Sequence, residues 1–176
     1  MSGHSHAKNV ARQKEAGDKK KSTVFSKLLK AISAAARASD LNPDFNPTLR
    51  TAVEKARAAN VPKDNIERAI KKADSSAPME ELVIEAHGPE GIAIIITALT
   101  DNSNRTLREV RHLLEANGAK WAEPGSVRWA FTPEPGNIWK AKFPQTISDD
   151  SKLKLATLVS LLEEHEDVVS IFPASS

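Results

Sequence analysis

A two-part α+β fold is predicted by three observations. Apolar residues recur at helical spacing in three short stripes before residue 74, and after Pro78 the spacing shortens to two. The local charge reverses at the same place. Residues 1–74 hold 16 Lys/Arg against 8 Asp/Glu, and the remaining 102 hold 9 against 15, a reversal that the net charge of +2 conceals. A basic segment ahead of an acidic one suggests that the first faces a polyanion while the second builds a core. The expected domains are residues 1–76, a basic arm plus a three-helix nucleic-acid-binding domain, and residues 77–176, an antiparallel-sheet α/β sandwich.

The arm, "HSHAKNVARQKEAGDKKKS", carries Lys8, Arg12, Lys14, Lys19, Lys20 and Lys21 against Glu15 and Asp18. No apolar period precedes Phe25, so this segment is expected to stay unfolded alone. Cations on such an arm suit a phosphate backbone, where counterion release supplies affinity. The alternative is a solvated leader.

The first helix is expected from a cap at Ser22 or Thr23, with Phe25, Leu28, Leu29, Ile32 and Ala36 inward and Lys27, Lys30 and Arg37 opposite. "DLNPDFNP" breaks it. Asn46-Pro47 caps and opens a second helix bearing Leu49, Ala52, Val53 and Ala56. "NVP" ends that one, and Pro62 opens a third with Ile66, Ala69 and Ile70 inward. "ADSSAP" is the linker.

Beyond the linker, Leu82, Ile84 and Ala86 alternate as a strand, "HGPEG" turns, and Ile92 to Leu99 is a buried strand. Leu107, Val110 and Leu114 mark a helix that ends near Asn117-Gly118. Val127, Trp129 and Phe131 predict a third strand, "TPEPGN" a turn, and Ile138 to Phe143 a fourth strand. Leu155, Leu158, Val159 and Leu162 give a helix, and Val168 to Phe172 the last strand. The order β-β-α-β-β-α-β predicts a mostly antiparallel sheet with two helices on one face.

Composition narrows the function. With no cysteine, the chain has no disulfide, thiolate metal site or cysteine nucleophile. The longest apolar run, "IAIIITAL", is too short to span a bilayer, so no membrane partner is expected. The start lacks a hydrophobic signal core and a transit-peptide pattern, which predicts neither secretion nor import.

One segment stands out: "LTDNSNRTLREVRHLL". Asn102 or Asn104 caps the helix, and Arg105, Arg108 and His112 share the face opposite Leu107, Val110 and Leu114. A helix start with two arginines is a reasonable anion site. The plainer reading, favoured on this segment alone, is that the asparagines fix the corner and the arginines pair with surface acids.

The chain resembles the YebC-type regulators, which include bacterial proteins labelled transcriptional regulators and the mitochondrial translational activator of cytochrome c oxidase subunit I. The resemblance is carried by "GHSHAKNVARQKEAGDKKKSTVFSKL", "NPTLRTAVEKARAANVPKDNIERAI", "HGPEGIAIIITALTDNSNRT" with "EVRHLL", "GSVRWAF" and the closing "LEEHEDVVSIF". Two departures stand out. His6-Ala7 replaces a usual Lys-Trp, and only "TPEPGNIWKAKFPQTISDD" stands where an extra α+β domain is usual, so the chain resembles a shortened form.

The resemblance implies a non-catalytic role in gene expression. The favoured form is a ribosome- or rRNA-associated translation factor that helps difficult stretches such as polyproline; the other is a DNA-binding transcriptional regulator. The implied contacts are Gly3, His4, Lys8, Arg12, Lys14, Lys19, Lys20, Lys21, Lys27 and Lys30, with a second contact at Asn102, Asn104, Arg105 and Arg108. A monomer is expected, in the bacterial cytoplasm, or in the mitochondrial matrix for a eukaryotic copy.

No enzyme is expected. His4, His6, His87, His112 and His165 are scattered outside any metal or triad spacing, and no Walker or dinucleotide glycine pattern occurs. Ser2-Gly3-His4 behind a free amine would chelate copper(II) or nickel(II), but the resemblance already accounts for that start. No metal or cofactor is expected.

Overall fold

The computed structural model describes residues 4–73 and 78–176, without the side chains of residues 4–16 and 19. It divides into two compact units, Met1–Ser76 and Ala77–Ser176.

The first unit holds three helices, α1 (His4–Ala38), α2 (Pro47–Ala58) and α3 (Lys63–Lys72). The expectation of an unfolded arm and a cap at Ser22 or Thr23 is corrected: one helix runs through both. Apolar periodicity reports burial rather than helicity. The arm lacks the first, yet Ala, Lys, Arg, Gln and Glu are strong helix formers and no proline occurs before Pro43.

Ile32, Ala35 and Ala36 of α1 are buried with Leu49, Val53 and Ala56 of α2, Ile66 of α3 and the adjoining Val61 and Ala73. The predicted cap at Asn46 forms and does more. Its Oδ1 accepts from Leu49 N–H at 3.0 Å, while its Nδ2 donates to the carbonyls of Ala35 and Asp40, both at 2.8 Å. One buried amide therefore starts α2 and ties off α1. Asn60, at φ 60°, ends α2: its N–H bonds Arg57 O and that of Val61 bonds Ala56 O.

The second unit holds β1 (Glu80–His87), β2 (Ala93–Thr100), α4 (Ser103–Ala116), β3 (Lys120–Ala122), β4 (Phe131–Glu134), β5 (Ile138–Ala141), α5 (Asp149–Glu163) and β6 (Val168–Pro173). Its main sheet is antiparallel, in the order β3-β1-β2-β6. Ile84 pairs with Ile96 and Ala86 with Ile94, which puts four apolar side chains on one face. They join Val110 and Leu114 of α4 and Leu155, Leu158 and Leu162 of α5 in one core. Gly88 turns β1 towards β2, where an added Cβ would lie 2.8 Å from Ile94 Cδ1.

The third predicted strand is corrected, whereas the fourth forms as Ile138–Ala141 but lies outside the main sheet. Arg128–Ala130 is a 3₁₀ turn, and β4 begins only at Phe131 and pairs with β5 in a separate hairpin. The third strand of the main sheet is Lys120–Ala122, too short to show alternation. The Val127/Trp129/Phe131 alternation misleads because a three-residue turn buries Val127 and Ala130 and leaves Trp129 out.

Candidate nucleic-acid interface

The basic charge of the first unit lies mainly along α1. That helix carries nine Lys/Arg against Glu15 and Asp18 over 35 residues, a rod about 50 Å long. Lys20 and Lys21 are exposed, and the Lys21 ammonium sits 5.6 Å from the Phe25 ring centroid, one helical turn on. Gly3 lies outside the described residues, as do the side chains of His4, Lys8, Arg12, Lys14 and Lys19.

Three cations expected on the open face have other surroundings. Lys27 and Lys30 are half-buried and engaged. Arg37 is exposed, but it donates to the carbonyl of Ala73 at 3.2 Å, where it satisfies the end of α3.

The strand-to-helix corner of the second unit separates its four candidates into two pairs. Asn102 caps α4, its Oδ1 accepting from Arg105 N–H at 3.1 Å. Arg105 folds inward. Its Nη2 lies 2.9 Å from Asp167 Oδ2 and 3.2 Å from Asp101 Oδ1. The same Asp167 oxygen accepts from the hydroxyls of Thr106 at 2.7 Å and Thr100 at 3.3 Å. Asp167 is 1% exposed, and these donors replace the hydrogen bonds that burial takes from water. The pair also holds the Arg105 guanidinium above its ordinary value, through the hydrogen bond and charge of Asp167. Asn104 and Arg108, in contrast, are exposed, and among the described residues Arg108 Nε donates to the Asn104 carbonyl on its own helix, at 3.2 Å.

Sequence reasoning missed Asp167, which looks like one more acid in "LEEHEDVVSIF". It sits ahead of β6, and its carbonyl accepts from Leu99 N–H at 2.8 Å. It therefore clasps the ends of β2 and α4 to the start of β6.

Glu109, His165 and Asp167 place one ligand atom each within 4.8 Å of one another. Their bonding is already spent. His165 Nδ1 accepts from Asp167 N–H at 3.1 Å, so in the neutral ring the proton is on Nε2, which faces Glu109 Oε2 at 3.0 Å. Asp167 Oδ2 is filled by Arg105 and two threonines. This grouping is a polar clasp, and a cation there would meet the Arg105 guanidinium.

Glu85 was also missed. It points from β1 to the face opposite Ile84 and Ala86, and it is 2% exposed. Its Oε1 accepts from Gly125 N–H at 2.7 Å, and its Oε2 from Val127 and Arg128 N–H at 2.9 and 3.0 Å. Arg128 Nε adds an ion pair at 3.3 Å. This carboxylate winds the "GSVR" segment into its turn and fixes where Trp129 emerges.

The family model described as the TACO1/YebC protein N-terminal domain matches residues 5–76, and the one described as the TACO1/YebC second and third domain matches residues 79–137. A probable transcriptional regulatory protein of Fervidobacterium nodosum is 50% identical over 134 residues, which cover 74% of this chain and 53% of that protein. A protein of the same description from Chloroherpeton thalassium is 42% identical over 177 residues, covering 97% of this chain and 70% of its own. The chain thus spans little more than half the length of the first relative. The crystal structure of a conserved hypothetical protein from Aquifex aeolicus superposes with a TM-score of 0.80 at 28% identity, covering 88% of this chain and 90% of that one.

Proposed function

The chain belongs to the TACO1/YebC family, and we propose that it is a non-catalytic, nucleic-acid-binding regulator of gene expression that acts on the ribosome. The observation that carries this reading is α1, with nine cations against two acids along one helix, in a chain whose remaining charge is acidic. Such a rod lays successive cations along a phosphate backbone and draws affinity from released counterions.

Ribosomal RNA is the favoured target. A duplex-DNA reader of helix-turn-helix type offers a short polar recognition helix to the major groove. Here α2 and α3 instead turn Leu49, Val53 and Ile66 into the core beside α1. A second reading, transcriptional regulation on DNA, is favoured by the bacterial relatives, which are described as probable transcriptional regulatory proteins. Asn104 and Arg108 are the members of the corner that remain available for a second contact. The protein acts as a cytoplasmic monomer in this reading. No helix among the described residues is long and apolar enough to cross a membrane.

Sedimentation of the tagged chain through a sucrose gradient of cell lysate tests the choice. Co-migration with ribosomal particles, lost after ribonuclease but not deoxyribonuclease, is the expected result. Migration with DNA, or at the top of the gradient under every condition, overturns it.

A further inference from the structure

We propose that Trp129 and Phe143 form a stacking platform for an unpaired nucleobase, with Lys140 and Lys142 holding the adjoining phosphates. This rests on the nucleic-acid reading above and adds to the acidic second unit a contact of its own, specific for single strands.

The β4–β5 register pairs Phe131 with Ala141, and it continues through a 2.8 Å bond from Lys142 N–H to the Ala130 carbonyl. Beyond that bond the chain winds into the Arg128–Ala130 turn, which brings the Trp129 ring beside Phe143. The inward side chains of the hairpin, Phe131 and Trp139, rest on the core. At the open end that face runs past the core. Trp129 is left 65% and Phe143 63% exposed, with ring centroids 6.4 Å apart and planes tilted by 43°.

The indole is held in place rather than free to collapse. Its Nε1 donates to the Ser126 carbonyl at 2.7 Å, within the turn that Glu85 secures, and Lys142 Nζ donates to the Trp129 carbonyl at 3.1 Å. A fixed, uncovered indole loses little entropy on stacking, and every base offers a π-face.

Charge selects the partner. Residues 128–143 hold Arg128, Lys140 and Lys142 against Glu134 alone, in a unit that is acidic as a whole. Glu134 lies at the far end of the hairpin, paired with Ile138 beside the turn. Neither Lys140 nor Lys142 makes an ion pair among the described residues. Exposed aromatics beside cations suit a single strand, whose bases are accessible, and not a duplex, whose bases are stacked internally.

The test uses the full chain with a fluorescein-labelled dodecamer of single-stranded RNA and a duplex RNA of the same length. Variants are Trp129→Ala/Phe143→Ala, Trp129→Phe, and Lys20→Ala/Lys21→Ala. The double ring variant is expected to bind the single strand at least about ten-fold more weakly, with duplex affinity within about two-fold and an unchanged melting temperature. Trp129→Phe should retain most of the affinity. Equal losses on both RNAs, or no loss on either, overturn the platform. So does concentration-dependent self-association of the wild type that the ring variant abolishes, which would make this an interface between protein copies. If the lysine variant binds as wild type while the ring variant is weakened, the α1 reading fails and the platform stands.

Discussion

Glu85 is a buried charge solvated by the chain itself. Burial pushes its carboxyl upward. The N–H groups of Gly125, Val127 and Arg128 and the Arg128 guanidinium more than offset this, so it lies below the ordinary value of 4.5. A depressed carboxyl stabilises the fold fully above the unfolded value, and that contribution fades as pH falls through the folded one. Glu85→Gln should therefore lower stability by about 1–3 kcal/mol at pH 7, with the deficit shrinking below about pH 4.5. Urea unfolding of both proteins between pH 3 and 7 measures this, and equal midpoints at neutral pH would remove Glu85 from its role. Arg105 and Arg108, three apart in sequence, divide similarly. Arg105→Ala takes the cation from buried Asp167 and should lower the melting temperature by several degrees, while Arg108→Ala, on open surface, should leave it nearly unchanged. A larger fall for Arg108→Ala would contradict the clasp. Arg105 looked like an anion ligand because sequence shows its helix but not the acid 62 residues away.

At the scale of elements, α1 depends on propensity where it lacks an apolar stripe. Gly17 lies inside it, exposed, with nothing beyond its own stretch of helix backbone within 4 Å of where a Cβ would stand. Gly17→Ala should raise helicity and stabilise by about 0.5–1 kcal/mol. Gly17→Pro removes an internal N–H and clashes with the preceding turn, costing the helix about 3 kcal/mol. Circular dichroism should show the alanine variant gaining and the proline variant losing ellipticity at 222 nm. Identical spectra for all three would mean that this segment is not helical in solution. The short helices α2 and α3 needed no such test from sequence. Asn46-Pro47 and "NVP" mark the ends of α2 and Pro62 the start of α3; in the structure Asn46 caps α2 and Asn60, just past its last turn, takes the left-handed conformation.

For the whole molecule, separate cores and opposite charges favour units that fold independently. Ile32, Leu49 and Ile66 close one core, and Ile84, Ile96, Val110 and Leu158 close another. Residues 1–76 and 78–176 expressed separately should each unfold cooperatively. The first fragment should keep most of the salt-dependent affinity for RNA, and the second should bind duplex weakly. A second fragment that binds duplex as tightly as the whole chain would reverse the division of labour.

By itself the sequence determined the two-part α+β class, the cap at Asn46, a cap for α4 at either Asn102 or Asn104, the register-bearing strands β1 and β2, and the segregation of charge. Each of these is local, since capping chemistry, apolar period and net charge act over a few residues. The tertiary structure alone decided the rest. It made the basic arm a continuation of α1, and it placed Lys120–Ala122 in the main sheet. It gave Asp167 and Glu85 their partners, so that the strand-to-helix corner and the "GSVR" turn are held by acids distant in sequence. It also left Trp129 and Phe143 side by side beyond the core. A strand's alternation records which way each side chain points. It does not record whether anything lies there to cover the side chain, or which buried charge will claim the backbone N–H groups beside it.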